Sequence, residues 1–184
     1  YSLLIRLKVR SLVAFSVVLS FCLGKTVWNQ SIIAEVYTLN LLYTAIVSYS
    51  FLAWSQTKKD RFFYLGSLFY AISFGNHLLM IGMLPAIVYL VFVTDAKSFR
   101  SPKKIALVSL FILIGLSQYL YLYLRTISPD TKYLEVAVYQ FKDLFFQLTG
   151  GDFKSRILET ITIDLVDRKV KKFVFFFVRE LVIL

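Results

Sequence analysis

The sequence is short of cysteine, histidine, proline and glycine, and each shortage narrows the classes of protein that it can encode. Its 184 residues include 1 Cys, 1 His, 3 Pro and 7 Gly. A single cysteine cannot form an internal disulfide, and Cys22 with His77 is too small a set for a zinc site. Phosphate loops, dinucleotide-binding glycine patterns, nucleophile elbows and zinc-protease helices are all missing. No cofactor and no divalent metal is therefore indicated.

What the sequence has instead is apolar surface. Hydrophobic residues make up 58% of it, with 18 Phe and 12 Tyr, and the mean hydropathy is +0.70. The net charge of +10 is distributed over short gaps between long apolar runs, which is not the solvated basic face that a nucleic-acid-binding protein needs. Composition therefore predicts an integral membrane protein without a nucleic-acid partner, and membrane lipids as its surroundings.

Five apolar segments are candidates for membrane-spanning helices, so the predicted fold is an all-α, polytopic transmembrane helix bundle. About 20 apolar residues cross the hydrocarbon core, and shorter segments cross when flanking side chains reach the interface. The chain opens on Tyr1 and stops inside a further apolar segment, and we expect it to be truncated at both ends. The candidate segments are 11–27, 32–54, 62–75, 78–93 and 105–124.

Basic residues predict the orientation of these helices, because Lys and Arg in short loops are retained on the cytoplasmic side. This pattern requires segment 62–93 to form a hairpin of two short helices that turns near Asn76 and His77. Three polar clusters then lie on the non-cytoplasmic side, where we expect a shared polar chamber. The basic groups are Arg6, Lys8 and Arg10; Lys58, Lys59 and Arg61; and Lys97, Arg100, Lys103 and Lys104. The polar clusters are Trp28, Asn29, Gln30 and Glu35; Asn76 and His77; and Tyr123 and Arg125.

The chain becomes more polar after Arg125. Stretches 133–148 and 157–166 are amphipathic but too short to span, and they are predicted to lie in the membrane interface on the outer face. The predicted organisation is a transmembrane region 1–125, an outer-face amphipathic loop region 126–172, and the start of another transmembrane helix at 173–184.

Each ionisable candidate allows a functional and a structural interpretation. Glu35 can bind a sugar, a cation or a proton, or it can cap the N-terminus of a helix. His77, beside Asn76, can donate to a phosphate oxygen or relay a proton, or it can serve as a hydrogen-bonded turn residue. Arg125 can hold a phosphate with its guanidinium fork, or anchor the helix end among the lipid head groups.

Several strings, in this order and at similar spacing, resemble the membrane proteins of glycosyltransferase family 117. The strings are VWNQSIIAEVYTLNLLY, LFYAISFGNHLLMIGMLPAI, YLYLRTISPD and FKDLFFQLTGGDFKSRI, and they cover residues 27–157. This family is related to a protein O-mannosyltransferase of animals, and its bacterial members were long classed as a domain of unknown function. Around Pro129 the chain keeps one proline where the family has a fuller Asn-Pro and Trp-Gly pattern.

The resemblance implies a fold of GT-C type, a polyprenyl-phosphate sugar as donor, and transfer to a protein or glycan hydroxyl on the periplasmic or lumenal face. The membrane would be a bacterial inner membrane or the endoplasmic reticulum. The family's catalytic carboxylate lies in an outer loop that this chain does not include, so the general base is expected upstream and the catalytic residue stays unknown. The substrate-binding candidates are Trp28, Gln30, Glu35, Tyr37, Asn76, His77 and Arg125.

Two other functions remain open from the residues alone. A transporter or flippase of lipid-linked sugars would use Glu35 and His77 as a proton relay, and it predicts polar groups at the membrane midplane and broken helices in paired halves. A non-catalytic membrane subunit would use the polar clusters only as caps and anchors.

Overall fold

The computed structural model describes residues 1–33, 36–129, 133, 136–151 and 163–182. Helices make up most of these residues, and the described part of the chain contains no strand, which confirms the predicted all-α membrane bundle. The helices are α1 Ser2–Arg6, α2 Ser11–Leu23, α3 Lys25–Ile32, α4 Val36–Thr57, α5 Asp60–Ser73, α6 Leu84–Asp95, α7 Pro102–Ser117, α8 Leu120–Ile127, α9 Phe141–Leu148 and α10 Ile163–Val182. Two 3₁₀ helices, η1 Leu78–Met83 and η2 Ala96–Arg100, precede and follow α6.

Three helical segments among the described residues are long and apolar enough to cross a membrane. They are Val36–Thr57, Leu78–Arg100 and Pro102–Ile127. The first predicted span differs from expectation, because the helix breaks at Gly24 and α2 and α3 meet at 58°, so the pair is a broken span or a re-entrant loop. Helix α5 has 14 residues and is about 21 Å long, which is shorter than the hydrocarbon core.

The chain forms two compact units. The first comprises Tyr1–Val18 and Ile33–Tyr121, and the second comprises Leu19–Ile32 and Leu122–Leu184. In the first unit, α4 and α5 pack against each other in opposite directions, and α5 and α7 pack in the same direction. The α5–α7 contact is close because Gly115 has no side chain, and a Cβ atom there would overlap the Ala71 carbonyl group.

One end of the first unit, which we call the Lys104 end, is held by a buried ion network. Lys104 Nζ lies 2.8 Å from Asp60 Oδ1 and 3.8 Å from Asp95 Oδ2, and it donates to Ser98 Oγ at 3.0 Å. The aromatic rings of Trp54 and Phe63 lie beneath the ammonium group, with centroids 5.5 and 5.2 Å from it. This network joins the starts of α5 and α7 to the end of α6.

In the second unit, α8 and the segment before α9 are joined through Thr126. The Val138 N–H donates to Thr126 Oγ1 at 2.9 Å, and both residues are buried. Helix α9 covers only the second half of the predicted amphipathic stretch 133–148, and residues 157–162 of the other stretch lie outside the described residues. Helix α10 passes without a break through the boundary predicted after Lys172.

Candidate functional site

Opposite the Lys104 end, four segments of the first unit meet at what we call the His77 end. The segments are the start of α4, the end of α5, the turn through Asn76 and His77, and the residues that follow α7. This is the hairpin turn that the basic residues predict. It brings together three sequence-predicted candidates, Tyr37, Asn76 and His77.

The turn is attached to α4 by Asn76, which is half-buried. Its Nδ2 donates to the Val36 carbonyl oxygen at 3.0 Å, across 40 residues of sequence. This bond uses one of the two N–H groups of the amide to position the turn. The role of Asn76 as a substrate-binding residue stays a prediction.

The hydrogen bond that caps η1 fixes the chemistry of His77. The Leu79 N–H donates to His77 Nδ1 at 3.1 Å. A neutral imidazole that accepts at Nδ1 carries its proton on Nε2, so the second nitrogen is a donor. The ring of Tyr37, which is 47% exposed, lies 5.8 Å from the imidazole at a tilt of 37°. Together they present an aromatic face beside an N–H donor.

Two further residues, which are not among the candidates predicted from the sequence, also lie at the His77 end. Gln118 Nε2 donates to the carbonyl oxygens of Ile72 and Gly115 at 3.0 and 3.1 Å, and its side chain fills the space beside Gly75. Tyr119 donates its hydroxyl proton to the Phe74 carbonyl oxygen at 2.8 Å. A lone Gln in an apolar span is the signal that could have identified Gln118.

Asn40 is a third residue that the sequence analysis missed. Val36, Asn40 and Thr44 follow one another at four-residue spacing and share a face of α4. Val36 contacts Asn76, and Thr44 Oγ1 contacts Met80 Sδ at 3.5 Å, so the turn and η1 lie over this face. Asn40 lies between Val36 and Thr44 along α4, and its Oδ1 is buried without a hydrogen-bond donor among the described residues. An acceptor in this state favours a ligand hydroxyl or a bound water as its donor.

The remaining candidates lie in the second unit or outside the described residues. Trp28 and Gln30 are on α3, where the Trp28 side chain is 58% exposed and Gln30 is half-buried. Arg125 is exposed on α8. Glu35 lies outside the described residues. Within the ranges that the structure describes, no three His, Cys, Asp or Glu side chains come together as a metal site would require.

A family comparison identifies the family to which the chain belongs. The model of the protein O-mannosyl-transferase TMEM260 N-terminal domain matches residues 5–100, which are 96 of the 184 residues. The chain belongs to this family. The TMEM260 N-terminal domain match includes Trp28, Gln30, Tyr37 and the Asn76–His77 turn, and it ends before Gln118 and Arg125. Comparison with curated proteins and with solved structures gives no match.

The TMEM260 family match confirms the coarser part of the predicted resemblance. The chain is a glycosyltransferase-like integral membrane protein of an O-mannosyltransferase family.

Proposed function

We propose that this chain is part of a membrane glycosyltransferase of family 117 and GT-C type, in which the His77 end contributes to the sugar-transfer site. The reaction moves a sugar, with mannose as the first candidate, from a polyprenyl phosphate to a hydroxyl group of a protein or glycan acceptor. The observation that carries the proposal is the contact between the rings of Tyr37 and His77, about one turn of α4 from the buried Oδ1 of Asn40, within the part of the chain that the family match covers.

The chemistry of these three side chains is that of carbohydrate binding. The apolar face of a sugar ring packs against an aromatic side chain such as Tyr37. His77 Nε2–H donates to an oxygen of the sugar or of the departing lipid phosphate, whose developing charge a hydrogen bond stabilises. Asn40 Oδ1 accepts only from a donor, so it is matched to a sugar hydroxyl and not to a phosphate oxygen. In this role His77 is a donor, and the general base comes from a residue outside this set.

The distribution of charge supports a periplasmic or lumenal site, in a bacterial inner membrane or in the endoplasmic reticulum. Segments 62–96 and 105–124, which connect the two ends of the first unit, contain no Lys or Arg. The basic residues of α5, η2 and α7 gather at the Lys104 end, which is therefore the cytoplasmic end by the positive-inside rule. Residues 62–94 and 105–124 also contain no Asp or Glu. The middle of these segments therefore lacks the acidic relay that a proton-coupled transporter would use.

Substitution of His77 tests its role as a donor. In the full-length protein, reconstituted with polyprenyl-phosphate mannose and a Ser/Thr-containing peptide, His77→Phe removes the Nε2–H and should lower kcat/KM by about 100-fold. His77→Gln keeps an N–H donor and should retain more activity. Ser117→Ala is the matched control, because its hydroxyl is exposed near the same end and bonds only the Ile114 carbonyl of its own helix. Equal losses in His77→Phe and His77→Gln would contradict the donor role.

Arg125 has a separate test, because its proposed task is to hold the lipid phosphate with a bidentate fork. Arg125→Ala should abolish transfer while the protein remains folded, and Arg125→Lys should restore only a small part of the rate. Undiminished turnover by Arg125→Ala, measured in the same assay, would remove this residue from the site. Trp28, Gln30 and Glu35 remain candidates from the sequence for contacts to the sugar.

A further inference from the structure

A long apolar groove in the first unit lies between α6 on one side and α5 and α7 on the other. Its volume is about 560 Å³, which is within the range of roughly 300–1,000 Å³ for small-molecule sites. The lining residues on α7 extend from Lys104 to Leu116, a distance of about 18 Å at 1.5 Å per residue. The groove is therefore slightly longer than one leaflet of the hydrocarbon core, which is about 15 Å deep.

The walls of the groove are apolar along most of this length. Tyr70 of α5 and Phe74, which follows α5, form one side, Leu84 and Val88 of α6 form the other, and Val108 and Ile112 of α7 lie between them. In a membrane, a groove of this shape and composition accommodates the hydrocarbon chain of a lipid without exposing polar groups. Its length admits one chain lying along the helices.

The charged group that lines the groove is at the Lys104 end, where Lys104 and Ser98 contribute to the lining, whereas Ser67, Tyr70 and Ser109 are uncharged polar residues farther along it. The surrounding surface is strongly basic, since Lys97, Arg100 and Lys103 are exposed next to these two lining residues in the sequence. The carboxylates of this end, Asp60 and Asp95, are both held by Lys104. The exposed cations therefore outnumber the acids that neutralise them, and the mouth of the groove is complementary to an anion.

We propose that the groove binds one anionic phospholipid, with an acyl chain along α7 and the phosphate at the Lys104 end against Arg100 and Lys103. Basic side chains at a membrane surface attract anionic head groups, and the apolar groove adds hydrocarbon contact to that attraction. The proposed phosphate position is at the opposite end of the first unit from His77, while the apolar part of the groove reaches Phe74 and Leu116 towards the His77 end. Its occupant is a resident lipid of the membrane and not the sugar donor.

Native mass spectrometry of the purified protein, titrated with phosphatidylglycerol or phosphatidylcholine, tests the proposal. We expect one phosphatidylglycerol to bind at least tenfold more tightly than phosphatidylcholine. Ser109→Trp places an indole in the groove and should reduce the bound phosphatidylglycerol at least tenfold. Leu113→Trp is the control on the same helix, because Leu113 is 63% exposed and does not line the groove. Ser109→Leu is the milder variant if the Trp variant does not fold.

The head-group contact has its own pair of variants. Arg100→Gln with Lys103→Gln should bring the affinity for phosphatidylglycerol down to that for phosphatidylcholine. Lys8→Gln with Arg10→Gln removes the same charge elsewhere and should leave the preference intact. Equal binding of the two lipids by the unsubstituted protein, or unchanged binding in a folded Ser109 variant, would overturn the proposal. Crosslinking of Ser109→Cys to another protein segment would also overturn it, because the groove would then be a helix-packing surface.

Discussion

Replacement of Lys104 by methionine should show how much the buried ion network contributes to the stability of the first unit. The Lys104 side chain is 11% exposed, and its ammonium contacts Asp60 at 2.8 Å and Ser98 at 3.0 Å. Methionine keeps the apolar stem and removes the charge. A charge-assisted hydrogen bond contributes about 1.5–3 kcal/mol, and a cation over an aromatic ring about 0.5–1 kcal/mol. Burying the ammonium costs desolvation free energy, and the methionine variant does not have this cost. The expected net loss in the free energy of unfolding is therefore about 2 kcal/mol.

Thermal unfolding of the purified protein in detergent is the assay. A loss of about 2 kcal/mol corresponds to a fall in Tm of ~4–8 °C for a chain of this size. Lys103→Met is the control, since Lys103 is the exposed neighbour with the same charge. Equal Tm values for the Lys104 and Lys103 variants would refute the argument that the network stabilises this end.

Substitution of Asp60, alone and together with Lys104, completes a double-mutant cycle for the ion network. Asp60→Asn leaves the buried ammonium facing only Asp95 at 3.8 Å, whereas Lys104→Met leaves Asp60 half exposed and solvated. An under-compensated buried charge is more destabilising than a solvated one, so Asp60→Asn should lower Tm more than Lys104→Met. The double variant should be no worse than Lys104→Met alone. Strictly additive losses would show that the two side chains do not act as a pair.

Two further substitutions test helix packing and the second unit. Gly115→Ala should destabilise the protein by about 1–3 kcal/mol, since the added Cβ would overlap the Ala71 carbonyl, whereas Gly82→Ala adds its Cβ in open space and should leave Tm nearly unchanged. Thr126→Val leaves the buried Val138 N–H without its acceptor, which should lower the free energy of unfolding by about 1–3 kcal/mol in the same thermal assay. A variant as stable as the unsubstituted protein would contradict the assigned hydrogen bond.

The sequence predicts the apolar spans and the hairpin at His77 because both depend on local composition. Hydrocarbon thickness fixes the length of a span, and the position of Lys and Arg fixes its direction. The break after Leu23 was missed, because Gly24 within an apolar run is compatible with a continuous helix and only the structure shows the 58° bend. Spacing alone does not distinguish a straight span from a broken one.

Long-range contacts explain most of what the sequence could not predict at the sites. Lys104 is one of four basic residues in its cluster, and nothing in the local pattern distinguishes the buried one from its exposed neighbours. Asn40 was overlooked for the same reason, since its burial depends on a turn that is 36 residues away. Asn76 is a candidate from the sequence, and the structure adds that its hydrogen bond to the Val36 carbonyl, across 40 residues of sequence, positions the turn.

The two ends of the first unit bury different kinds of polar group, and this difference bears on where the chemistry occurs. At the Lys104 end, a buried cation is matched by two carboxylates and a hydroxyl, an arrangement that fixes helix ends and leaves no group for a reaction. At the His77 end, Asn40 Oδ1 has no donor, and the ring of Tyr37 is about half exposed. An unpaired buried acceptor lowers stability, so its presence about one helical turn from Tyr37, whose ring contacts His77, is more consistent with substrate binding than with packing. A stabilising Asn40→Leu substitution that also raises KM for the sugar donor would have the signature of such a site.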